Sequence, residues 1–248
     1  MISKAKIRYI RSLEKKKVRN AEHLFVAEGP KIIHDISKVI SPQLVLYTQN
    51  CLPTEERHAQ TEYIEVSAEE LAKASFLQHP QNMLAIFPQF ASQQTLDYSK
   101  LYLAVDGVQD PGNMGTIIRI ADWFGIESIF CSEDTVDVYN PKVVQATMGS
   151  IAHVNVAYTE LSTLLEALPN NFAVYGTMLD GVNVYQQELS TNGIIIVGNE
   201  GNGISQRLRQ RVSHRLLIPT FPYGKGYPDS LNVAIATAII CNEFRRKI

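Results

Sequence analysis

The sequence predicts an α/β protein of two domains, and three observations support that prediction. From residue 100 onward, short apolar strands alternate with helices, a pattern typical of a largely parallel sheet with helices on both faces. Before residue 90, a shorter mixture of helical and strand patterns indicates a small α/β unit of its own. The polar, turn-rich stretch 88–100 separates the two. At 248 residues, the chain is long enough for both.

The first part of the chain begins with a basic helix predicted over residues 3–17, with Ile7, Ile10 and Leu13 on one stripe. The elements expected after it are a helix at 30–40 that begins with proline, a strand at 43–48, a strand and a serine-capped helix within 62–75, and a strand at 82–87.

The second part is more regular. Its predicted strands lie at 101–107, 127–132, 152–158, 172–179, 193–200 and 214–219. Its predicted helices lie at 113–125, 141–150, 161–168 and 231–244. The last helix is apolar around much of its circumference, so we expect it in the core or at an interface.

Composition excludes several classes of protein. With 45% hydrophobic and 19% charged residues, the chain can bury a core, which excludes a disordered protein. The three cysteines, Cys51, Cys131 and Cys241, are not spaced as in a disulfide framework or a zinc-binding cluster. The first ten residues lack the apolar stretch typical of a signal peptide, and the apolar run 231–241 is too short to span a bilayer. We therefore expect a metal-independent cytoplasmic protein.

Charge is distributed unevenly along the chain. The formal net charge is −2, but residues 1–31 contain nine Lys or Arg and three Glu, a balance of +6, which leaves −8 for the remainder. This segregation indicates a basic arm that contacts nucleic acid, although a solvated helix face explains it equally well.

Three loops that follow predicted strands combine glycine with polar residues, at 106–119, 198–205 and 219–232. Ligands of parallel sheets bind beyond the carboxyl ends of the strands, so these loops are the candidate site. Ordinary turn chemistry is the alternative for any one of them.

Common nucleotide and hydrolase motifs do not fit these loops. Gly198, Gly201 and Gly203 have the spacing GxxGxG rather than GxGxxG, and no GxxxxGKS/T is present. A nicotinamide-dependent oxidoreductase is therefore a weak alternative. Ser205 and Ser230 lack the GxSxG context of a hydrolase nucleophile.

The three loops, in this order, resemble the three motifs of the SpoU (TrmH-like) family of RNA 2′-O-ribose methyltransferases in the SPOUT superfamily. The matching residues are NMGTIIR at 113–119, IIIVGNEGNGIS at 194–205, and IP at 218–219 followed by SLNVAIATAI at 230–239. Residues 141–156 extend the resemblance over nearly all of 101–248. Residues 13–33 resemble the ribosomal-protein-like RNA-binding domain that often precedes this enzyme.

This resemblance implies an RNA-binding domain over 1–95 and a methyltransferase domain over 96–248. It implies a deep trefoil knot, in which the C-terminal segment threads through a loop of the same chain, an arrangement that pattern alone never predicts. It also implies S-adenosylmethionine as cofactor, no metal, and a homodimer formed through the knotted region and last helix. The implied partner is RNA, with ribosomal RNA our first choice and transfer RNA the second.

The resemblance further assigns residues to the cofactor. Gly198, Ile218 and Leu231 match positions that offer main-chain groups to the adenine and sugar, and Thr177 and Met178 lie where another loop lines the pocket. Core packing is an equally good explanation for Ile218 and Leu231.

The implied catalytic residues are Asn113, Arg119, Glu200, Ser230 and Asn232. Arg119 would hold the neighbouring phosphate and orient the 2′-hydroxyl, since an arginine is a poor base. Glu200 would orient Arg119 or its loop, and Ser230 and Asn232 would present the nucleotide. The alternatives are helix capping by Glu200 and by Ser230.

The predicted RNA-binding residues are the cations of the basic arm: Lys4, Lys6, Arg8, Arg11, Lys15, Lys16, Lys17 and Arg19. The loop 220–229 departs from the compact family form, with Asp229 where Glu is common, and Tyr223 and Lys225 are further candidates for RNA contact. The remaining alternative function is a non-catalytic RNA-binding protein of the same fold.

Overall fold

The computed structural model describes residues 2–49, 51, 58–92, 95–221 and 230–246. Contacts divide the chain into two compact units. The N-terminal unit comprises 1–91 and 137–152, and the C-terminal unit comprises 92–136 and 153–248. Segment 137–152 therefore packs with the N-terminal unit, although it lies within the predicted methyltransferase domain. The assignment of RNA binding to 1–95 and of catalysis to 96–248 stays a prediction.

The strands of the described residues are β1 Leu24–Glu28, β2 Leu44–Tyr47, β3 Glu62–Glu65, β4 Met83–Pro88, β5 Leu101–Asp106, β6 Ser128–Cys131, β7 Asn155–Tyr158, β8 Val174–Asn183, β9 Gly193–Gly198 and β10 His214–Leu217. The α-helices are α1 Lys4–Ser12, α2 Lys16–Glu22, α3 Pro30–Ser37, α4 Ala68–Ala74, α5 Pro111–Trp123, α6 Pro141–Thr147, α7 Leu161–Glu166, α8 Gln206–Arg209 and α9 Val233–Arg245.

The N-terminal unit is the predicted small α/β unit. Its sheet has the order β1-β4-β2-β3, with β4 antiparallel to both of its neighbours and β2 parallel to β3. Pro30 occupies the first turn of α3, and Ser67 caps α4 in a reciprocal capping box with Glu70. Both helix starts that the sequence predicted are confirmed.

The helix predicted over 3–17 is wrong in its extent, because two helices replace it. The predicted apolar stripe is present, since Ile10 and Leu13 are fully buried in the core of the unit with Ile7 packed against them. α1 ends at Ser12, and the chain turns before α2 begins at Lys16. This turn releases backbone carbonyl groups that a continuous helix would use internally.

Arg19 uses those carbonyl groups. It is 2% exposed, and its Nη1 atom donates to the carbonyl oxygens of Leu13 (2.9 Å) and Glu14 (2.6 Å). Its guanidinium also forms an ion pair with Asp137, to which Nε donates over 3.2 Å. This buried pair ties segment 137–152 to the start of the chain.

The C-terminal unit contains a six-stranded sheet with the order β10-β8-β9-β5-β6-β7, and all its pairs are parallel. On one face, Leu161 and Leu165 of α7 and Leu208 of α8 join the core cluster of the sheet. On the other face, Phe244 of α9 packs edge-on against Tyr175 of β8, with ring centroids 4.8 Å apart. The predicted parallel sheet with helices on both faces is confirmed.

The helices α5 and α9 lie side by side and run in the same direction. Near their N-terminal ends, Asn232 Nδ2 donates to Asn113 Oδ1 over 2.8 Å. At their C-terminal ends, Arg245 Nε donates to the carbonyl oxygen of Phe124 over 2.9 Å. The pairing places the starts of both helices together at the carboxyl edge of the sheet, where the candidate site was expected.

Among the described residues, no helix has the length and apolar character needed to cross a membrane. The chain path of the expected knot includes residues 222–229, which lie outside the described residues, so the knot stays a prediction.

We predict that Arg19→Met lowers the free energy of unfolding by about 3 to 5 kcal/mol, because it leaves Asp137 buried without its partner. Urea unfolding measures the loss. The control is Lys100→Met, which breaks an ion pair with Glu127 whose side chains are 43% and 64% exposed and should cost less than about 1 kcal/mol. Equal losses in both variants would contradict a structural role for the buried pair.

Candidate functional site

Three of the predicted site residues form one connected chain of hydrogen bonds. Asn113 lies in the first turn of α5, Glu200 in the loop after β9, and Asn232 at the N-cap of α9. Asn113 Nδ2 donates to Glu200 Oε1 over 2.9 Å, and Asn232 Nδ2 donates to Asn113 Oδ1 over 2.8 Å. The three motif loops therefore meet at one place.

In this series of hydrogen bonds, the donor and the acceptor of each bond are fixed from α9 to Glu200. The Asn232 Oδ1 atom accepts from the backbone N–H groups of Ala234 (3.0 Å) and Ile235 (3.2 Å), so the Nδ2 atom of Asn232 must face away from α9. Asn113 accepts that donor with its oxygen, which turns its own amide nitrogen toward Glu200. The hydrogen bonds therefore end at Glu200, whose Oε1 atom accepts from Asn113.

Asp110 fixes the start of α5. Its Oδ1 atom accepts from the backbone N–H of Asn113 over 2.8 Å, as an N-cap side chain does, and Pro111 takes the first helical position. Asp110 was not among the predicted site residues. The order Asp-Pro before the helix was the signal that could have found it.

Close backbone packing shapes the loop after β9. A Cβ atom at Gly198 would lie 2.2 Å from the carbonyl carbon of Gly203 and 2.2 Å from the nitrogen of Ile204. Only glycine permits that approach. The loop is then closed by two backbone hydrogen bonds between Asn199 and Gly203, of 3.0 and 2.9 Å. Gly198 thus has a local packing role, whatever ligand it contacts.

Two further predicted cofactor residues lie within β8, just beyond the last residue of β8 that pairs with β9. Thr177 and Met178 occupy a stretch of β8 where the pairing with β10 is interrupted, since Arg215 pairs with Gly176 and Leu216 with Val182. Thr177 Oγ1 donates to the Ile196 carbonyl oxygen over 3.3 Å. Met178 is 7% exposed and belongs to the core cluster.

Ile218 and Leu231 differ in exposure. Ile218 is half-buried directly after β10, in agreement with the core packing that we considered for it. Leu231 is 50% exposed just before α9, so core packing does not account for it. The cofactor roles of both residues stay predictions.

Arg119 and Ser230 are exposed, and within the described residues neither side chain forms a hydrogen bond or ion pair. The predicted contact of Glu200 with Arg119 is therefore absent there, and Glu200 instead binds Asn113. Neither capping alternative is observed: Asn232 caps α9 rather than Ser230, and Glu200 lies ahead of α8, whose N-cap is Ser205. Tyr223, Lys225 and Asp229 lie outside the described residues.

The cations of the basic arm differ in how they are engaged. Lys6 pairs with Glu62 at 2.5 Å, and Arg11 donates to the Ser75 carbonyl oxygen over 2.5 Å with its guanidinium 4.6 Å from the Phe76 ring centroid. Four exposed cations of α1, α2 and the turn between them have side chains that form no hydrogen bond or ion pair with the described residues: Lys4, Arg8, Lys15 and Lys17.

Lys16 and Arg19 differ from these four cations, because both residues are engaged in interactions. Lys16 is exposed but has an interaction partner. The prediction of RNA contact by Arg19 is wrong, because its guanidinium is buried and bound to Asp137 and to backbone carbonyl oxygens. Its charge neutralises a buried carboxylate instead of facing solvent.

Two of the three cysteines, Cys131 and Cys241, are buried and unreactive. Burial raises the pKa of the Cys241 thiol to about 12 and that of the Cys131 thiol further still, so both stay protonated at neutral pH. Among the described residues, no group of three or more His, Cys, Asp or Glu side chains is arranged to hold a metal ion.

Comparison with known families matches both parts of the chain. Residues 100–242 match the SpoU rRNA Methylase family, and residues 4–85 match the MRM3-like substrate binding domain. The first match covers more than half of the chain, so this protein belongs to the SpoU rRNA methylase family.

Individual relatives are similar over the whole chain. The 23S rRNA (guanosine(2553)-2′-O)-methyltransferase RlmP of Bacillus subtilis is 29% identical over 97% of this chain and 96% of its own length. A solved structure assigned to the TrmH family of RNA methyltransferases, from Porphyromonas gingivalis, has a TM-score of 0.90 and 36% identity over all of both chains. The AdoMet-bound rRNA methyltransferase of Sinorhizobium meliloti has a TM-score of 0.86 and 28% identity, covering 100% of this chain and 97% of that one.

Proposed function

We propose that this protein transfers a methyl group from S-adenosylmethionine to a ribose 2′-hydroxyl of RNA, with ribosomal RNA as first candidate and transfer RNA as second. The observation that carries the proposal is the hydrogen-bonded chain of Glu200, Asn113 and Asn232, which joins one polar residue from each of the three family motifs. The full-length similarity to RlmP, a 2′-O-methyltransferase of 23S rRNA, supports the choice of ribosomal RNA.

The chemistry of the candidate cofactor residues suits S-adenosylmethionine. None of Thr177, Met178, Gly198, Ile218 and Leu231 has a side chain that is charged at neutral pH. Main-chain amide and carbonyl groups at Gly198, Ile218 and Leu231 would bind the polar edges of adenosine, and the half-exposed Leu231 side chain offers apolar contact to its base.

When bound, S-adenosylmethionine supplies an electrophilic methyl group, so the residues of this chain must act on the weakly acidic 2′-hydroxyl. We assign Arg119 to the phosphate next to that hydroxyl and to charge that develops on the 2′-oxygen. Its permanent charge suits both tasks and argues against action as a base. Asn113, Glu200 and Asn232 keep the surrounding loops in one geometry, and Ser230 contacts the nucleotide.

We predict that Arg119→Ala lowers the rate of methyl transfer by about 100-fold or more, because a charged group that stabilises the transition state is lost. Arg119 is exposed, so its loss should leave folding and S-adenosylmethionine affinity unchanged. Transfer of radiolabelled methyl to RNA measures the rate, and calorimetry measures the affinity. Arg119→Lys keeps the positive charge but loses the planar guanidinium with its paired N–H donors. Its rate of methyl transfer should lie between those of the wild type and Arg119→Ala.

The control is Arg207→Ala, which removes another exposed arginine of the same unit. Full activity of Arg119→Ala would refute its assigned role. A wild-type protein that does not bind S-adenosylmethionine in the calorimeter would instead favour the non-catalytic RNA-binding alternative.

We further propose that Lys4, Arg8, Lys15 and Lys17 bind RNA phosphates. These cations are exposed on one short stretch of chain, and the described residues leave their charges unpaired. Phosphate contacts of this kind are independent of sequence and weaken as salt rises. Removing residues 1–17 is an unsuitable test, because it would take the buried Ile10 and Leu13 out of the core.

We predict that the double substitution Lys15→Ala with Lys17→Ala weakens RNA binding and reduces the slope of log Kd against log salt concentration by about 1 to 2. Fluorescence anisotropy over a salt series measures both. Lys38→Ala with Lys73→Ala is the matched control, since it removes two exposed lysines elsewhere in the N-terminal unit. An equal change in RNA affinity and salt slope in both double variants would contradict the proposal and favour the alternative that these cations form only a solvated helix face.

We also propose a homodimer that covers the paired helices α5 and α9. Trp123 on α5 is 85% exposed and Ile235 on α9 is 55% exposed, and the removal of such large apolar side chains from water favours association. Trp123→Glu with Ile235→Glu should shift the sedimentation coefficient from that of a dimer to that of a monomer. Val39→Glu, at an apolar position 54% exposed in the N-terminal unit, is the control. A monomeric wild type would contradict the proposal.

An RNA substrate, free cysteines and expected metal independence lead us to propose a cytoplasmic location. Cell fractionation tests it, and recovery of the protein outside the cytoplasmic fraction would refute it.

A further inference from the structure

We propose that Asn199 is a positioning residue for methyl transfer, holding the loop that carries Glu200 against the loop that leads to Asn113. This inference rests on the proposed function of the site. Asn199 precedes Glu200 in the sequence and does not belong to the hydrogen-bonded chain of Glu200, Asn113 and Asn232. Its side chain nevertheless contacts both of the loops that this chain connects.

Asn199 uses both ends of its amide. Its Oδ1 atom accepts from the backbone N–H groups of Gly201 (2.9 Å) and Asn202 (3.0 Å), which folds the loop around Glu200. Its Nδ2 atom donates to the carbonyl oxygen of Gly107 over 2.7 Å. The first pair of bonds fixes the shape of the loop, and the last bond fixes its place.

Gly107 is a well-anchored attachment point. Its backbone N–H lies 2.8 Å from Ser132 Oγ and 3.2 Å from Thr135 Oγ1, which both accept from it. Gly107 follows β5 directly, and the same loop continues to Asp110, which caps α5. The bond from Asn199 therefore joins the base of the first motif loop to the base of the second.

The Glu200 side chain has few restraints of its own. It is exposed, and within the described residues its one hydrogen bond is that from Asn113. An exposed glutamate samples several rotamers, so a fixed backbone on both sides of it is needed to keep its carboxylate near Asn113. A misplacement of about 1 Å at the reacting atoms, caused by a change elsewhere in the site, is enough to cost about 100-fold in rate.

A second bond of the same kind offers a comparison for the hydrogen bond from Asn199 to Gly107. Asn192 lies just before β9, and its Nδ2 atom donates to the carbonyl oxygen of Tyr98, which precedes β5, over 2.7 Å. The strands β5 and β9 pair from Leu101 with Gly193 to Asp106 with Gly198. The same two strands are thus tied at both ends by an asparagine amide bonded to a carbonyl oxygen. One tie lies at the candidate site and the other at the opposite edge of the sheet.

The test compares Asn199→Ala, Asn199→Asp and Asn192→Ala in the full-length protein. Asn199→Asp keeps an oxygen for Gly201 and Asn202 but loses the donor to Gly107, so it isolates the tie between the loops. We expect both Asn199 variants to lower kcat by about 10- to 100-fold, with smaller changes in KM for RNA and for S-adenosylmethionine. We expect Asn192→Ala to lower the melting temperature as much as Asn199→Ala while kcat stays within about twofold of wild type.

Two outcomes would overturn the inference: undiminished kcat in either Asn199 variant, or an equal loss of kcat in Asn192→Ala. Hydrogen exchange of the Gly201 and Asn202 amides is an independent readout, and it should be faster in Asn199→Ala whether or not the enzyme is turning over. A wild-type protein that transfers no methyl group would refute the proposed function and with it the reaction that Asn199 serves. Active wild type with active Asn199 variants would refute this inference alone.

Discussion

Two amide hydrogen bonds hold together three segments that are far apart in the sequence. Asn113 and Glu200 are separated by 87 positions and Asn113 and Asn232 by 119, yet their side chains are bonded at 2.9 and 2.8 Å. The orientation of each amide follows from the N-terminus of α9, whose N–H groups require an oxygen. The geometry of the candidate site therefore depends on where α9 begins, because the start of that helix orients the Asn232 amide.

The remainder of the C-terminal unit keeps those three segments in place. The parallel sheet brings the carboxyl ends of β5 and β9 together, and the glycine at the end of β9 lets the following loop fold back onto its own backbone. The pairing of α5 with α9 aligns their first turns. The site is consequently built from capping side chains, amides and backbone, which suits a reaction whose electrophile needs no activation by the protein.

Local sequence patterns predicted a large part of this architecture. The alternation of apolar strands and helices depends on neighbouring residues, so the parallel sheet, the proline start of α3 and the serine cap of α4 could be read directly. The resemblance to the family then predicted Asn113, Glu200 and Asn232, which the fold brings together. Their mutual hydrogen bonds could not be predicted, because they require the relative placement of three loops.

The incorrect predictions have a common physical origin in long-range pairing. Arg19 was assigned to RNA because its neighbours are lysines, but Asp137, 118 positions away, neutralises it inside the N-terminal unit. The turn that breaks the first helix supplies carbonyl oxygens to the same guanidinium. Asn199 was overlooked for the same reason, since its sequence context of glycines indicates only a turn, and its bond to Gly107 spans 92 positions.

The most direct test of the account is a map of ribose 2′-O-methylation in total RNA from cells with the wild-type protein, with Arg119→Ala, and without the protein. The account predicts at least one nucleotide, in ribosomal RNA as first candidate, whose 2′-oxygen is methylated only in cells with the wild-type protein. Identical maps from all three, or a methyl group that this protein places on a base rather than on a ribose, would contradict it.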